Sequence, residues 1–83
     1  MIYTGKYPIG SKVKIVSRDE LENFRATWKY HNKLSQQQIE YADQIAEITM
    51  MYMYHGGDFL YELRDAPGIW HEVCLRAANP NSL

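Results

Sequence analysis

Strands are the main feature that the apolar and polar pattern of this 83-residue chain predicts. In residues 12–16 lysines alternate with Val and Ile, which is the period-2 pattern of a strand with one buried face. Residues 44–54 and 59–63 are further predicted strands, and residues 69–75 form a last one that is apolar on both faces. We therefore expect a mainly β protein whose last strand is covered from both sides.

The longest predicted strand, residues 44–54, has two faces of different composition. One face consists of Ala46, Ile48, Met50, Tyr52 and Tyr54, and the other of Ile45, Glu47, Thr49, Met51 and Met53. Turn-forming residues follow it, HGGD at residues 55–58 and DAPG at residues 65–68. Their Gly and Pro residues suit tight connections between antiparallel strands.

Two capping boxes predict short helices between the first two strands. Ser17 precedes Glu20 by three residues, which predicts a helix over about residues 18–23. Residues 24–31 alternate between apolar and polar positions, so we expect an extended segment there that runs through Tyr30. The same stretch also has apolar residues at helical spacing, and helix and strand remain alternatives for residues 18–30.

Ser35 and Gln38 form the second capping box, which predicts one or two helical turns flanked by Leu34 and Ile39.

The length of the chain suits one domain, and we assign residues 1–76 to it. The turn-forming residues that follow predict a frayed tail over residues 77–83.

One strand, a long irregular excursion and three strands joined by tight turns is the order of an SH3-like small barrel. Residues 41–48 (YADQIAEI) resemble the Y-x-G-x-x-A-x-V entry to the second strand of bacterial and phage SH3-like barrels. Residues 60–63 (LYEL) and 67–75 (PGIWHEVCL) resemble the L-Y-x-V … W-x-E-x-x-L ending of that group, which distantly includes the nitrile hydratase β-subunit barrel. Asp43 stands where the group usually has Gly, and a left-handed conformation would accommodate it.

The resemblance covers about residues 10–76 and implies an SH3-like small antiparallel barrel with one or two short helices after the first strand. It implies no catalysis, because the H-T-R loop motif of the nitrile hydratase barrel is absent. The ALYDY segment and paired Trp motif of signalling SH3 domains are absent as well, which argues against Pro-rich ligands.

Charge and cysteine content narrow the classes of function. The formal net charge of −1 removes the usual electrostatic attraction to nucleic acid or anionic membranes. The chain has one cysteine, no apolar run of transmembrane length and no secretory signal pattern, so we expect a cytoplasmic protein.

Candidate catalytic and metal-binding groups do not converge in the sequence. His71 and Cys74 are three residues apart on a predicted strand, which sends their side chains to opposite faces. Cys74 therefore suits a small buried hydrophobe, and Glu62 and Glu72 suit exposed strand positions. We predict no enzyme activity, no catalytic residue, no metal and no cofactor.

Aromatic content is the feature that points to binding, since aromatic residues make up 13% of the chain and seven of them are Tyr. A small barrel encloses only some of these rings, and surface Tyr is common at binding surfaces. We predict a binding patch formed by Trp28, Tyr30, Tyr52, Tyr54, Tyr61 and Trp70.

Two function classes fit these features. The first is a non-catalytic protein-binding module or small accessory protein, of bacterial or phage type, that uses the aromatic patch. The alternative is a nucleic-acid-binding small barrel that uses the lysine-rich first third of the chain, namely Lys6, Lys12, Lys14, Lys29 and Lys33. Homo-oligomerisation is compatible with either class.

Overall fold

The computed structural model of the chain describes residues 7–54 and 57–78. In these residues the elements are β1 (Lys12–Ile15), α1 (Arg18–Thr27), α2 (Gln36–Ile39), β2 (Ile45–Met53), β3 (Phe59–Leu63), β4 (Ala66–His71), a 3-10 turn (Glu72–Cys74) and β5 (Leu75–Ala77). The predicted mainly β class with two short helices is confirmed.

The strands form one antiparallel sheet in the order β4-β3-β2-β1-β5. The closed barrel that the sequence predicts is not formed, because β4 and β5 remain the two edges of the sheet. The 3-10 turn separates these edges in the chain and directs β5 to pair with β1. The β4 edge is protected from pairing with a further strand. Pro67 has no N–H to donate, and the Gln38 side-chain amide of α2 donates to the Ile69 carbonyl at 3.0 Å.

A single apolar core lies on one face of the sheet. Val13 and Ile15 of β1 point into it while the intervening lysines point out, as the alternation predicts. Tyr61 and Trp70 stand opposite each other on β3 and β4 and fill its centre. Leu21 of α1 joins this core and fastens the helix to the sheet.

Both capping boxes are present, and α1 is longer than expected. The Ser17 side chain accepts from the Glu20 N–H and the Glu20 carboxylate accepts from the Ser17 N–H. The helix continues to Thr27, so the expectation of an extended segment over residues 24–27 is wrong. Leu21 and Phe24 pack against the core at helical spacing, which outweighs the strand-like alternation. The chain becomes extended at Trp28.

A register shift in β2 changes which side chains face the core. The irregularity lies between Ile48 and Met50, so the two sides of the strand exchange faces there. Ile48 and Met51 therefore both pack against the core, whereas strict alternation had placed them on opposite faces.

The predicted connections after β2 are displaced. The turn between β3 and β4 is at residues 64–65, with Asp65 at φ +64°, so Pro67 and Gly68 belong to β4 and not to the turn. The predicted strand over residues 69–75 is interrupted by the 3-10 turn. Ala77 pairs with Val13 in β5 and is not part of a frayed tail.

Some of the sequence-based expectations concern residues outside those described. Residues 55–56 of the HGGD turn and residues 79–83 of the predicted tail lie there.

Asp43, just before β2, has φ +67°, the left-handed conformation expected for a position where Gly is usual.

Candidate functional site

Six rings from four segments of the chain form one cluster, which we call the aromatic–histidine cluster: Phe24, Trp28, Tyr30, His31, Tyr54 and His71. The end of α1 supplies the first two rings. The segment after α1 supplies the next two, and the ends of β2 and β4 supply the others. The cluster thus joins the excursion after β1 to one end of the sheet.

Trp28 is the centre of this cluster. Its indole ring stacks on Phe24 with centroids 5.4 Å apart and forms T-shaped contacts with Tyr30, His31 and His71 at centroid distances of 4.9–5.3 Å. Its Nε1–H donates to the His31 carbonyl at 2.6 Å. These contacts hold the segment after α1 against the end of the helix.

His31 fastens the same segment to the hairpin of β2 and β3. Its ring stacks on Tyr54 with centroids 3.6 Å apart. Its Nε2 lies 3.0 Å from Asp58 Oδ2, and its Nδ1 lies 3.0 Å from Asn32 Oδ1. Because a carboxylate only accepts, Nε2 carries the proton in this contact.

His71 lies beneath these rings and is buried. Its Nε2 is 3.0 Å from the Asn32 carbonyl, which only accepts, so Nε2 is the donor. Burial lowers the pKa of His71 below its ordinary value, and the nearby His31 acts in the same direction, although the hydrogen bond to Asn32 opposes them. The neutral imidazole is therefore the form that the fold favours.

A small cavity opens beside the cluster, and we call it the aromatic cavity. Its volume is about 210 Å³. Its described lining combines aromatic, acidic and small residues: Phe24, Trp28, Gly57, Asp58, Phe59, His71, Glu72 and Val73. The Glu72 carboxylate accepts from the Tyr61 hydroxyl at 2.6 Å, which fixes its position at the edge of the core.

Three residues of the predicted binding patch belong to the cluster, namely Trp28, Tyr30 and Tyr54. Tyr30 is 71% exposed and Tyr54 40% exposed, while Trp28 is half-buried. Tyr52 is also exposed, but its hydroxyl donates to Glu62 at 2.7 Å. Within residues 7–54 and 57–78, its ring does not pack on any ring of the cluster.

Tyr61 and Trp70 are not part of any surface patch, which corrects the prediction that included them. Both side chains are 0% exposed. They face each other across β3 and β4 on the core side, and the Tyr61 ring forms a T-shaped contact with Tyr7 with centroids 5.8 Å apart. Their large apolar rings supply core volume that aliphatic residues do not provide in a domain this small.

Phe24, the two histidines and Asp58 are members of the site that the sequence did not predict. His31 and His71 are 40 positions apart and meet only because β4 ends beneath the segment after α1. A signal was present in the run from Trp28 to His31, where three of four residues carry aromatic or imidazole rings.

Within residues 7–54 and 57–78, no group of three or more His, Cys, Asp and Glu side chains is placed to hold a metal ion. Cys74 is buried, as predicted, and burial raises the pKa of its thiol to about 12. Glu62 and Glu72 bond to different tyrosines, Tyr52 and Tyr61, and do not form a carboxylate pair.

The lysines of the alternative interface lie on two surfaces. Lys12 and Lys14 are exposed on β1, and Lys12 Nζ is 3.9 Å from Glu47 Oε1. Lys29 and Lys33 are exposed on the segment after α1, and Lys6 lies outside the described residues.

None of the helices in the described ranges is both long and apolar enough to cross a membrane. No protein-family model, curated protein or solved structure matches the chain.

Proposed function

We propose that this protein is a non-catalytic protein-binding module whose contact surface is the exposed side of the aromatic–histidine cluster. The observation that carries the proposal is that Tyr30 and Tyr54 remain exposed although Trp28 and His31 hold their surroundings in place. Aromatic side chains that are already ordered lose little conformational entropy on binding, and such rings dominate the binding energy of many interfaces.

Kinship with bacterial and phage SH3-like barrels is part of this proposal. The strand order β4-β3-β2-β1-β5 and the 3-10 turn before β5 support it, as does the left-handed Asp43. Connecting segments often carry binding residues, and here the excursion between β1 and β2 supplies four of the six cluster rings. A cytoplasmic setting agrees with the reduced thiol of Cys74.

The test is the affinity of the protein for a partner that is captured from the source cell by cross-linking and then purified. Tyr30→Ala is the first variant, because Tyr30 is the most exposed ring of the cluster. We expect it to weaken binding by about 1–3 kcal/mol in calorimetric titration, which is about 5–150-fold.

Ile45→Ala is the control, since Ile45 is also a large, exposed side chain (61%) but lies at the other end of β2 from the cluster. It should leave the affinity unchanged. If Tyr30→Ala and Tyr54→Ala both stay folded and bind at full strength, while Lys12→Glu and Lys14→Glu abolish binding, the interface lies on β1 and the proposal is wrong.

A further inference from the structure

The aromatic cavity has walls that suit a cation. Phe24 and Trp28 stack on each other with centroids 5.4 Å apart, so a cation can meet only their outer faces, and Phe59 contributes a third ring. The faces of such rings carry negative electrostatic potential and attract cationic groups within about 6 Å. Three apolar rings alone would accept any apolar side chain, so the polar residues of the lining decide which group fits.

The polar lining is acidic. Asp58 and Glu72 place two carboxylates at the cavity, and the Asp58 side chain is 48% exposed. Among the described residues that line it, none is Lys or Arg. His71, the other titratable group of the lining, favours its neutral form because it is buried. His31 lies outside the lining and bonds to one oxygen of Asp58, which holds that carboxylate in place.

We propose that the aromatic cavity binds the guanidinium group of an arginine side chain on the partner protein. This inference rests on the proposed function and names the group that the partner contributes. A volume of about 210 Å³ lies below the range of pockets for drug-sized molecules, roughly 300–1,000 Å³, and leaves room for one side chain.

Guanidinium suits this lining better than ammonium. Its plane stacks on the face of an aromatic ring, here the outer face of Trp28 or Phe24, since their inner faces cover each other. Its N–H groups form a fork that pairs with carboxylates, and Asp58 and Glu72 provide these on the same lining. An ammonium group is more strongly hydrated and loses more solvation on entering an aromatic cavity.

The test uses the complete protein and small probes rather than the partner. N-acetyl-arginine amide is titrated into ¹⁵N-labelled protein and followed by two-dimensional NMR. We expect saturable shifts of the Trp28 indole N–H and of the Gly57 and Val73 amides, with a dissociation constant in the millimolar range. N-acetyl-citrulline amide has the same shape without the charge and should bind at least about fivefold more weakly.

Two carboxylate variants locate the binding site. Glu72→Gln keeps an acceptor for Tyr61 and Asp58→Asn keeps one for His31, but each removes one negative charge. We expect each variant to bind the arginine probe about three- to tenfold more weakly than the wild-type protein does. Glu62→Gln is the matched control, because Glu62 is a carboxylate on β3 outside the cavity lining, and it should change nothing. Thermal unfolding shows whether each variant is folded.

The inference is overturned if the arginine probe shows no saturation by about 50 mM. It is also overturned if citrulline binds as well as arginine, or if N-acetyl-lysine amide binds as tightly. Because these titrations use wild-type protein, they remain decisive even where a variant fails to fold. If they fail while Tyr30→Ala still weakens the partner complex, only the arginine inference is wrong. If the arginine probe binds while Tyr30→Ala has no effect on the complex, the proposed contact surface is wrong.

Discussion

His71 makes the stability of the fold depend on pH, because its imidazole is buried and its pKa is lowered by that burial. The unfolded chain takes up a proton at this residue near the ordinary pKa of 6.5, where the folded protein does not. The free energy of unfolding therefore decreases as the pH falls from 6.5 to the lower pKa of the folded state, and this loss is complete below that pKa. Each pKa unit between the unfolded and folded values of His71 lowers the free energy of unfolding by about 1.4 kcal/mol at acid pH.

The measurement is the thermal unfolding midpoint between pH 8 and pH 5 for the wild-type protein and for His71→Gln. A change of about 1 kcal/mol moves the midpoint by about 4–8 °C in a domain of this size. The Gln amide keeps a donor for the Asn32 carbonyl but does not titrate, so the variant should lose part of the pH dependence. Identical pH profiles for the two proteins would contradict the assignment to His71.

The aromatic composition predicts that some rings are exposed, but it does not determine which ones. Tyr30 and Tyr54 were assigned to the surface from composition alone, and both are exposed. Tyr61 and Trp70 were assigned to the same surface and are buried, because an aromatic residue on a strand suits the core as well as the rim. Only the pairing of β3 with β4 decides which face they occupy.

At the scale of elements, α2 and β4 are joined through one side chain. The Gln38 side chain accepts from the Ser35 N–H at 2.9 Å and donates to the Ile69 carbonyl at 3.0 Å. Gly68 leaves room for it, since a Cβ there would lie 2.9 Å from Gln38 Nε2. Two hydrogen bonds and burial prevent the Gln38 amide from moving aside without loss.

Gly68→Ala should therefore cost about 2–4 kcal/mol, of which about 1–2 kcal/mol reflects the left-handed backbone and the rest the displaced amide. Gly10→Ala is the control, since Gly10 also has positive φ but faces open space. It should cost only the backbone contribution of about 1–2 kcal/mol. Urea unfolding measures both. In the double variant Gly68→Ala with Gln38→Ala, the cost should be less than the sum of the single costs. Equal costs for Gly68→Ala and Gly10→Ala would show that the Gln38 side chain moves aside without loss of stability.

The elements that sequence could predict are those with local signals. The capping boxes at Ser17 and Ser35 located the starts of both helices, alternation located β1, and the turn-forming residues before β3 located that strand. The register shift in β2 and the 3-10 turn after β4 were not predicted, because neither leaves a periodic pattern. Both depend on how the strand packs against its neighbours, which also explains why the histidines of the site were missed.

At the scale of the whole molecule, charges of both signs are interspersed, and the lysines of the alternative interface do not form one field. Glu47 lies 3.9 Å from Lys12 Nζ and 3.4 Å from Arg64 Nε, so it offsets positive charge on the surface that includes β1. With a net charge of −1, few phosphate contacts and little counterion release are available to drive nucleic-acid binding.

We therefore expect dissociation constants weaker than about 100 μM for labelled single- and double-stranded DNA and RNA of about 20 nucleotides at about 0.2 M salt. Fluorescence anisotropy measures this directly. Glu47→Gln should strengthen residual binding at low salt, because it leaves Lys12 and Arg64 without their partner. A micromolar complex at about 0.2 M salt that Lys14→Glu abolishes and Tyr30→Ala leaves unchanged would contradict the expectation. The exposed lysines of β1 would then be the functional surface, and the aromatic–histidine cluster would serve only to hold the excursion against the sheet.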